Sequence, residues 1–190
     1  MPGPNPSKLR SNASRNIPRP AMPHRVVMLG YEHAQILDIT GPLEVFARSA
    51  RWLRDRRLCS NLAYSVELVA AQAGPVRTSS GLCLIAERSY RAVTRADTVL
   101  IAGGIGCHPV MDDNNVLRWI RKIAPRTSRI GSVCSGALVL GRAGLLEDRS
   151  ATTHWDYVEE LRNSGRSIHV QPDAIYVRDG NVYTSAGVTA

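Results

Sequence analysis

Much that would assign a function at sight is missing from this chain. No apolar run reaches the roughly 18 residues of a membrane-spanning helix. No basic stretch leads into an apolar segment and small-residue cleavage site, as in a secretory signal. The expectation is a cytoplasmic protein with no membrane partner. The four cysteines, Cys59, Cys83, Cys107 and Cys134, include no CxxC pair, so zinc and thioredoxin-like chemistry lack their usual spacing. They read as thiols, mostly buried, one of which is a candidate for activation. No zinc-finger or convincing helix-turn-helix pattern appears, and the P-loop lysine is absent. The glycines after residue 102 do not form a GxGxxG fingerprint, which argues against a nicotinamide cofactor. No metal cluster emerges, and the expectation is a protein without metal or cofactor.

Lysine is also scarce: of 24 basic side chains, 22 are arginine. Acids are absent from residues 1–25, where Lys8, Arg10, Arg15, Arg19 and Arg25 stand alone. The formal charge of +8 is therefore largely a property of the amino-terminal segment, and the remainder is only mildly basic. Six of the eleven prolines fall in residues 1–23, which read as a flexible lead-in. From residue 24 onward the 190-residue chain has the apolar content of one globular domain. It stops at residue 190, where a new helix could begin, and is expected to be truncated at its carboxyl end.

Residues 25–30 and 96–104 are short apolar runs, as in buried strands, and 64–71 and 127–133 also read as strands. Residues 75–87 read as two short strands around a turn at 79–81. Helices are expected over 38–57, 111–124 and 135–146, and within 151–165. In the first, Ile39, Leu43, Phe46, Ala50 and Leu53 form one stripe, and Pro42 is placed in the first turn. The last segment alternates as strands, with a tight turn at 179–181. Strand and helix in alternation predict an α/β fold with a mostly parallel sheet covered on both faces.

Cys134 is the sharpest chemical candidate. It lies between a strand and a helix, flanked by Ser132, Ser135, Gly131 and Gly136, as at a nucleophile elbow. The helix start favours a thiolate, and the Ser135 amide could hold an oxyanion. A cysteine buried at a tight crossing is the competing reading. Asp38 reads either as a first-turn acid or as a carboxylate at the ligand-gathering edge of an open sheet. Gly103 and Gly104 offer close backbone approach to a ligand. His154 is either a partner of the cysteine or a fixed structural donor, and His108 is a candidate lining residue.

Residues 36–46 (ILDITGPLEVF), 99–106 (VLIAGGIG), 131–146 (GSVCSGALVLGRAGLL), 151–155 (ATTHW) and 179–190 together resemble the ThiJ/PfpI superfamily. The order of the motifs is similar to the branch that forms the amino-terminal domain of AraC-type transcriptional regulators. The resemblance implies a flavodoxin-like three-layer sandwich related to class I glutamine amidotransferases, spanning residues 24–190, and a homodimer. It places Cys134 at the reactive-cysteine position and Asp38 facing it. Gly104 and Ser135 fall near the oxyanion position, and His154 in a neighbouring block. On this basis the expected function is a regulatory domain that binds a small-molecule ligand, touching DNA only through a carboxyl-terminal domain absent from the chain. The alternative is an enzyme. Isocyanide hydratases have a similar LDxTGP segment, SVC elbow and TTHW block, but a more Gly-rich final motif than Thr184–Gly187 here. Aspartate rather than glutamate at 38 separates the chain from protease- and deglycase-like relatives.

Overall fold

The computed structural model describes residues 22–59 and 61–187; residues 1–21 of the expected lead-in, and 188–190, lie outside them. β1 (His24–Leu29) leads into α1 (Ile36–Asp55) and β2 (Tyr64–Ala70). A hairpin follows, β3 (Gly74–Arg77) against β4 (Cys83–Ala86), then a two-residue strand β5 (Arg88–Ser89). β6 (Thr98–Ile101) precedes α2 (Cys107–Met111) and α3 (Asn114–Ile123). β7 (Arg129–Val133) runs directly into α4 (Gly136–Arg142). After β8 (Ser150–Ala151), α5 (Val158–Asn163) and β9 (His169–Val170), the antiparallel pair β10 (Tyr176–Asp179) and β11 (Val182–Ser185) turns at Gly180, whose φ is +61°.

Seven strands form the central sheet in the order β10-β11-β7-β6-β1-β2-β5, and every pairing except β10 with β11 is parallel. This is the expected α/β, flavodoxin-like sheet. The order reverses direction between β1 and β6, because the chain steps outward from β1 to β2 and then crosses to β6. Such a switch point opens a crevice at the carboxyl ends of the strands. Right-handed crossovers put α1 and α3 on opposite faces. Val26, Val27, Met28, Val99 and Ile101 are sealed at the centre, which explains the continuous apolar runs of β1 and β6. None of the described helices is long and apolar enough to cross a membrane.

Several elements differ from the sequence reading. α1 starts at Ile36 without a side-chain cap, so Pro42 lies within its second turn rather than its first. A proline there brings no amide to the carbonyl four residues back, which belongs to Asp38. The helix expected over 111–124 is two helices, because Asp113 takes an extended conformation and caps α3 by accepting the Asn115 amide at 2.8 Å. The cysteines are less buried than expected: Cys107 and Cys134 are buried, Cys59 is half-buried and Cys83 exposed, all as free thiols.

Candidate active site

Three loops meet at the switch point. The loop from β1 leads to Asp38 in the first turn of α1, the loop after β6 carries Gly103 and Gly104, and the turn after β7 carries Cys134. The cysteine occupies the left-handed region at φ +55°, which few non-glycine residues adopt. Its amide donates to the Ser185 carbonyl at 3.0 Å, and its carbonyl accepts the Thr153 hydroxyl at 2.9 Å. These two bonds fix the turn from both sides and give the ATTHW segment a role: Thr153 clamps the elbow. Gly136 must be small because a methyl group there would meet the Ala102 carbonyl at 2.5 Å.

Gly103 is wedged between the side chains of Asp38 and Cys134. A methyl group on it would stand 2.5 Å from the Asp38 carboxylate and 2.7 Å from Cβ of Cys134. The Gly103 amide instead donates to Oδ2 of Asp38 at 3.1 Å. The other carboxylate oxygen has no hydrogen-bond partner among the described residues, although Asp38 is fully buried. Burial raises the acid to about 6, against the pull of the Gly103 amide and of the neighbouring Cys134 thiol. Burial, and then the Asp38 charge, push the Cys134 thiol up to about 11. The Ser135 amide and hydroxyl act in the opposite direction. The thiolate expected from the helix start is therefore outweighed: at neutral pH the pair rests as a thiol beside a carboxylate, the proton on the sulfur.

Cys134 is 7 % exposed and opens into a cleft of about 370 Å³. Its walls include Gln35, Ser79, Ile105, His154, Trp155 and Tyr157. Ser135 also lines it, and its hydroxyl ties to Gly104 by accepting that amide at 2.9 Å and facing the carbonyl at 3.1 Å. Gly104 itself has φ +113°, and a side chain there would strike the Gln35 amide. His154 reaches the cleft but makes no hydrogen bond to the sulfur among the described contacts. Its Nδ1 accepts the Asp156 amide at 3.3 Å and its ring lies on Trp155, centroids 3.7 Å apart. His108 stands behind Tyr157, ring centroids 5.9 Å apart, and pairs with Glu160 at 3.1 Å.

Tyr157, Ser79 and Tyr31 are absent from the sequence reading. Tyr157 follows His154 by one 3-10 turn, a spacing that could have drawn attention to it. Ser79 arrives on the β3–β4 hairpin, held to the Ala34 carbonyl at 2.9 Å, and Tyr31 anchors its hydroxyl on the Ala102 carbonyl. No local pattern foretells either contact. Among the described residues no group of three His, Cys, Asp or Glu could hold a metal ion.

The family model for the DJ-1/PfpI family matches residues 24–190. The isonitrile hydratase of Pseudomonas putida is 38 % identical over 166 residues, covering 87 % of this chain and 66 % of that protein. The HTH-type transcriptional regulator GlxA of Rhizobium meliloti is 30 % identical over 181 residues, covering 95 % of this chain and 52 % of the regulator. The chain thus spans about two thirds of the one relative and half of the other. Among solved structures, a ThiJ/PfpI family protein from Pseudomonas syringae superposes with a TM-score of 0.76 at 28 % identity, over 97 % of this chain and 71 % of that one. Sheet order, elbow and ordered motifs agree with these matches: the chain belongs to the DJ-1/PfpI family and is related both to isonitrile hydratase and to transcriptional-regulator domains.

Proposed function

We propose that the chain carries the active site of a cysteine-dependent hydratase acting on isonitriles. The sequence by itself leans toward a sensor domain; the Cys134 thiol opening into a cleft, with the buried Asp38 carboxyl across Gly103 from it, favours the enzyme. Attack begins as the Cys134 thiol gives its proton to Asp38 and the sulfur bonds to the terminal isonitrile carbon. Asp38 returns the proton to that same carbon, leaving a thioimidate, R–N=CH–S–Cys134. Water then adds to the carbon; Asp38 takes one of its protons and passes it to the nitrogen, leaving R–NH–CH(OH)–S–Cys134. The C–S bond breaks as Asp38 takes the hydroxyl proton and hands it to the departing sulfur, and an N-substituted formamide leaves. The Ser135 amide, directed at the sulfur, holds the charge that appears there during attack and departure.

This order of events sets the pH dependence. Asp38 must be ionised to accept the thiol proton, so kcat/KM is expected to rise with pH through about 6 and then level off. Turnover of a simple alkyl isonitrile, followed by the formyl proton of the product, is expected to fall about 10⁴-fold or more in Cys134→Ala. Wild-type protein that yields no formamide from pH 5 to 9 would overturn the enzymatic reading.

The second reading is a small-molecule sensor, supported by likeness to an HTH-type regulator over 95 % of the chain. Under that reading a ligand of the cleft raises the melting temperature but is recovered unchanged, and Cys134→Ala keeps the response.

A further inference from the structure

We infer that the chain binds single-stranded nucleic acid, independently of sequence, on a basic and aromatic depression at the far end of α1 from the cleft. Asp38 and Trp52 are separated by fourteen positions of one helix, about 20 Å along its axis. Arg48, Ser49, Trp52, Leu53 and Tyr64 line a shallow depression of about 350 Å³. Trp52 is a large aromatic side chain left 43 % exposed, and the Arg56 guanidinium lies over its ring, 4.6 Å from the centroid. Arg48, Trp52 and Arg56 therefore follow one another at four-residue spacing as a cation, an aromatic platform and a second cation.

The charge at this place is not cancelled locally. Glu44 pairs with Arg51 at 2.5 Å and Asp55 with Arg54 at 3.1 Å. Arg48, Arg56 and the neighbouring Arg57 are exposed and have no carboxylate within ion-pair distance among the described residues. His24, at the start of β1, packs edge-on against Tyr64 with ring centroids 5.6 Å apart. A cationic track beside a stacking ring is what single strands require: phosphates meet guanidinium, and a base of any kind stacks on the indole. A lipid surface would use the same charges, but its acyl region has no use for a ring set in a recess and covered by a guanidinium.

The test is anisotropy of a labelled oligothymidine of about 20 nucleotides titrated with the full chain, with vesicles of phosphatidylglycerol and phosphatidylcholine in parallel. Wild-type affinity is expected to drop roughly 10- to 100-fold between about 50 and 200 mM salt. Trp52→Ala should weaken binding about tenfold, while Trp52→Phe, which keeps a ring, should retain most of it. The double variant Arg48→Gln/Arg56→Gln should flatten the log–log salt slope by about 1.4. Variants that melt like wild type yet bind like wild type would overturn the inference, leaving the amino-terminal segment as the sole source of affinity. So would capture by anionic vesicles without binding to the oligonucleotide, or no binding at the lower salt.

Discussion

Replacing Asp38 with asparagine is expected to give a protein that is more stable than wild type and inactive. The carboxyl is buried and ionises with a pKa near 6 instead of 3.8, so the folded state resists its negative charge. The folded chain holds the proton more tightly than the unfolded chain. Ionising the group therefore costs stability that was present at low pH: the loss begins above the unfolded value near 4 and is complete above about 6. A shift of this size corresponds to at most about 3 kcal/mol. Asparagine has nearly the same shape, can still accept the Gly103 amide, and carries no charge to desolvate. At pH 7.5 a denaturant or thermal titration is expected to show a gain of up to about 3 kcal/mol, shrinking to nothing by about pH 4. Turnover should be lost throughout, because an amide cannot receive the thiol proton. Equal or lower stability at pH 7.5, with the fold intact, would mean that the carboxylate is solvated or paired in the native state. Such an opposition between stability and activity is common where a site holds an unfavourable charge.

Gly103→Ala is expected to damage activity directly, by forcing apart the side chains of Asp38 and Cys134. The added methyl would contact Asp38 Oδ2, Cβ of Cys134 and, at 2.7 Å, the carbonyl of Val133. The first two can give way only by parting the reactive pair, and the third is backbone. Overpacking of this kind costs about 1–3 kcal/mol, and an ångström of misplacement between the groups costs about 100-fold in kcat/KM. Gly41→Ala is the matched control. It lies within α1 with nothing inside 4 Å of the new methyl, and should be neutral or stabilising by up to about 1 kcal/mol. Steady-state kinetics beside thermal melts of both variants check this. Full turnover in Gly103→Ala would show that the pair does not depend on the close approach of the two loops.

What could be read in advance follows from the range of the interactions. β1 and β6 announce themselves because a strand buried on both faces needs an unbroken apolar run, and their order constrains the sheet. Cys134 is legible because an elbow demands small neighbours in the chain itself. Asp38 stands out only through its place after β1; that it faces Cys134 across Gly103 depends on β1 lying beside β6 and β6 beside β7. The uncapped early start of α1 and the break at Asp113 are set by tertiary packing and loop closure, which propensity does not record. β5 is too short and peripheral to show a period. The protonation of the sulfur is hidden from the sequence for a related reason. The helix start is visible in sequence, whereas burial and the buried carboxylate that outweigh it are properties of the assembled site.

The pairing of a protonated thiol with a carboxylate is tested most directly by the titration of Cys134 itself. The thiolate absorbance near 240 nm of wild type, less that of Cys134→Ser, is expected to stay flat from pH 5 to about 9 and to rise only toward the value near 11. In Asp38→Asn the same rise should come at lower pH, since the neighbouring negative charge has gone. A wild-type thiolate forming below about pH 8, unchanged by Asp38→Asn, would contradict the pairing on which the proposed chemistry rests.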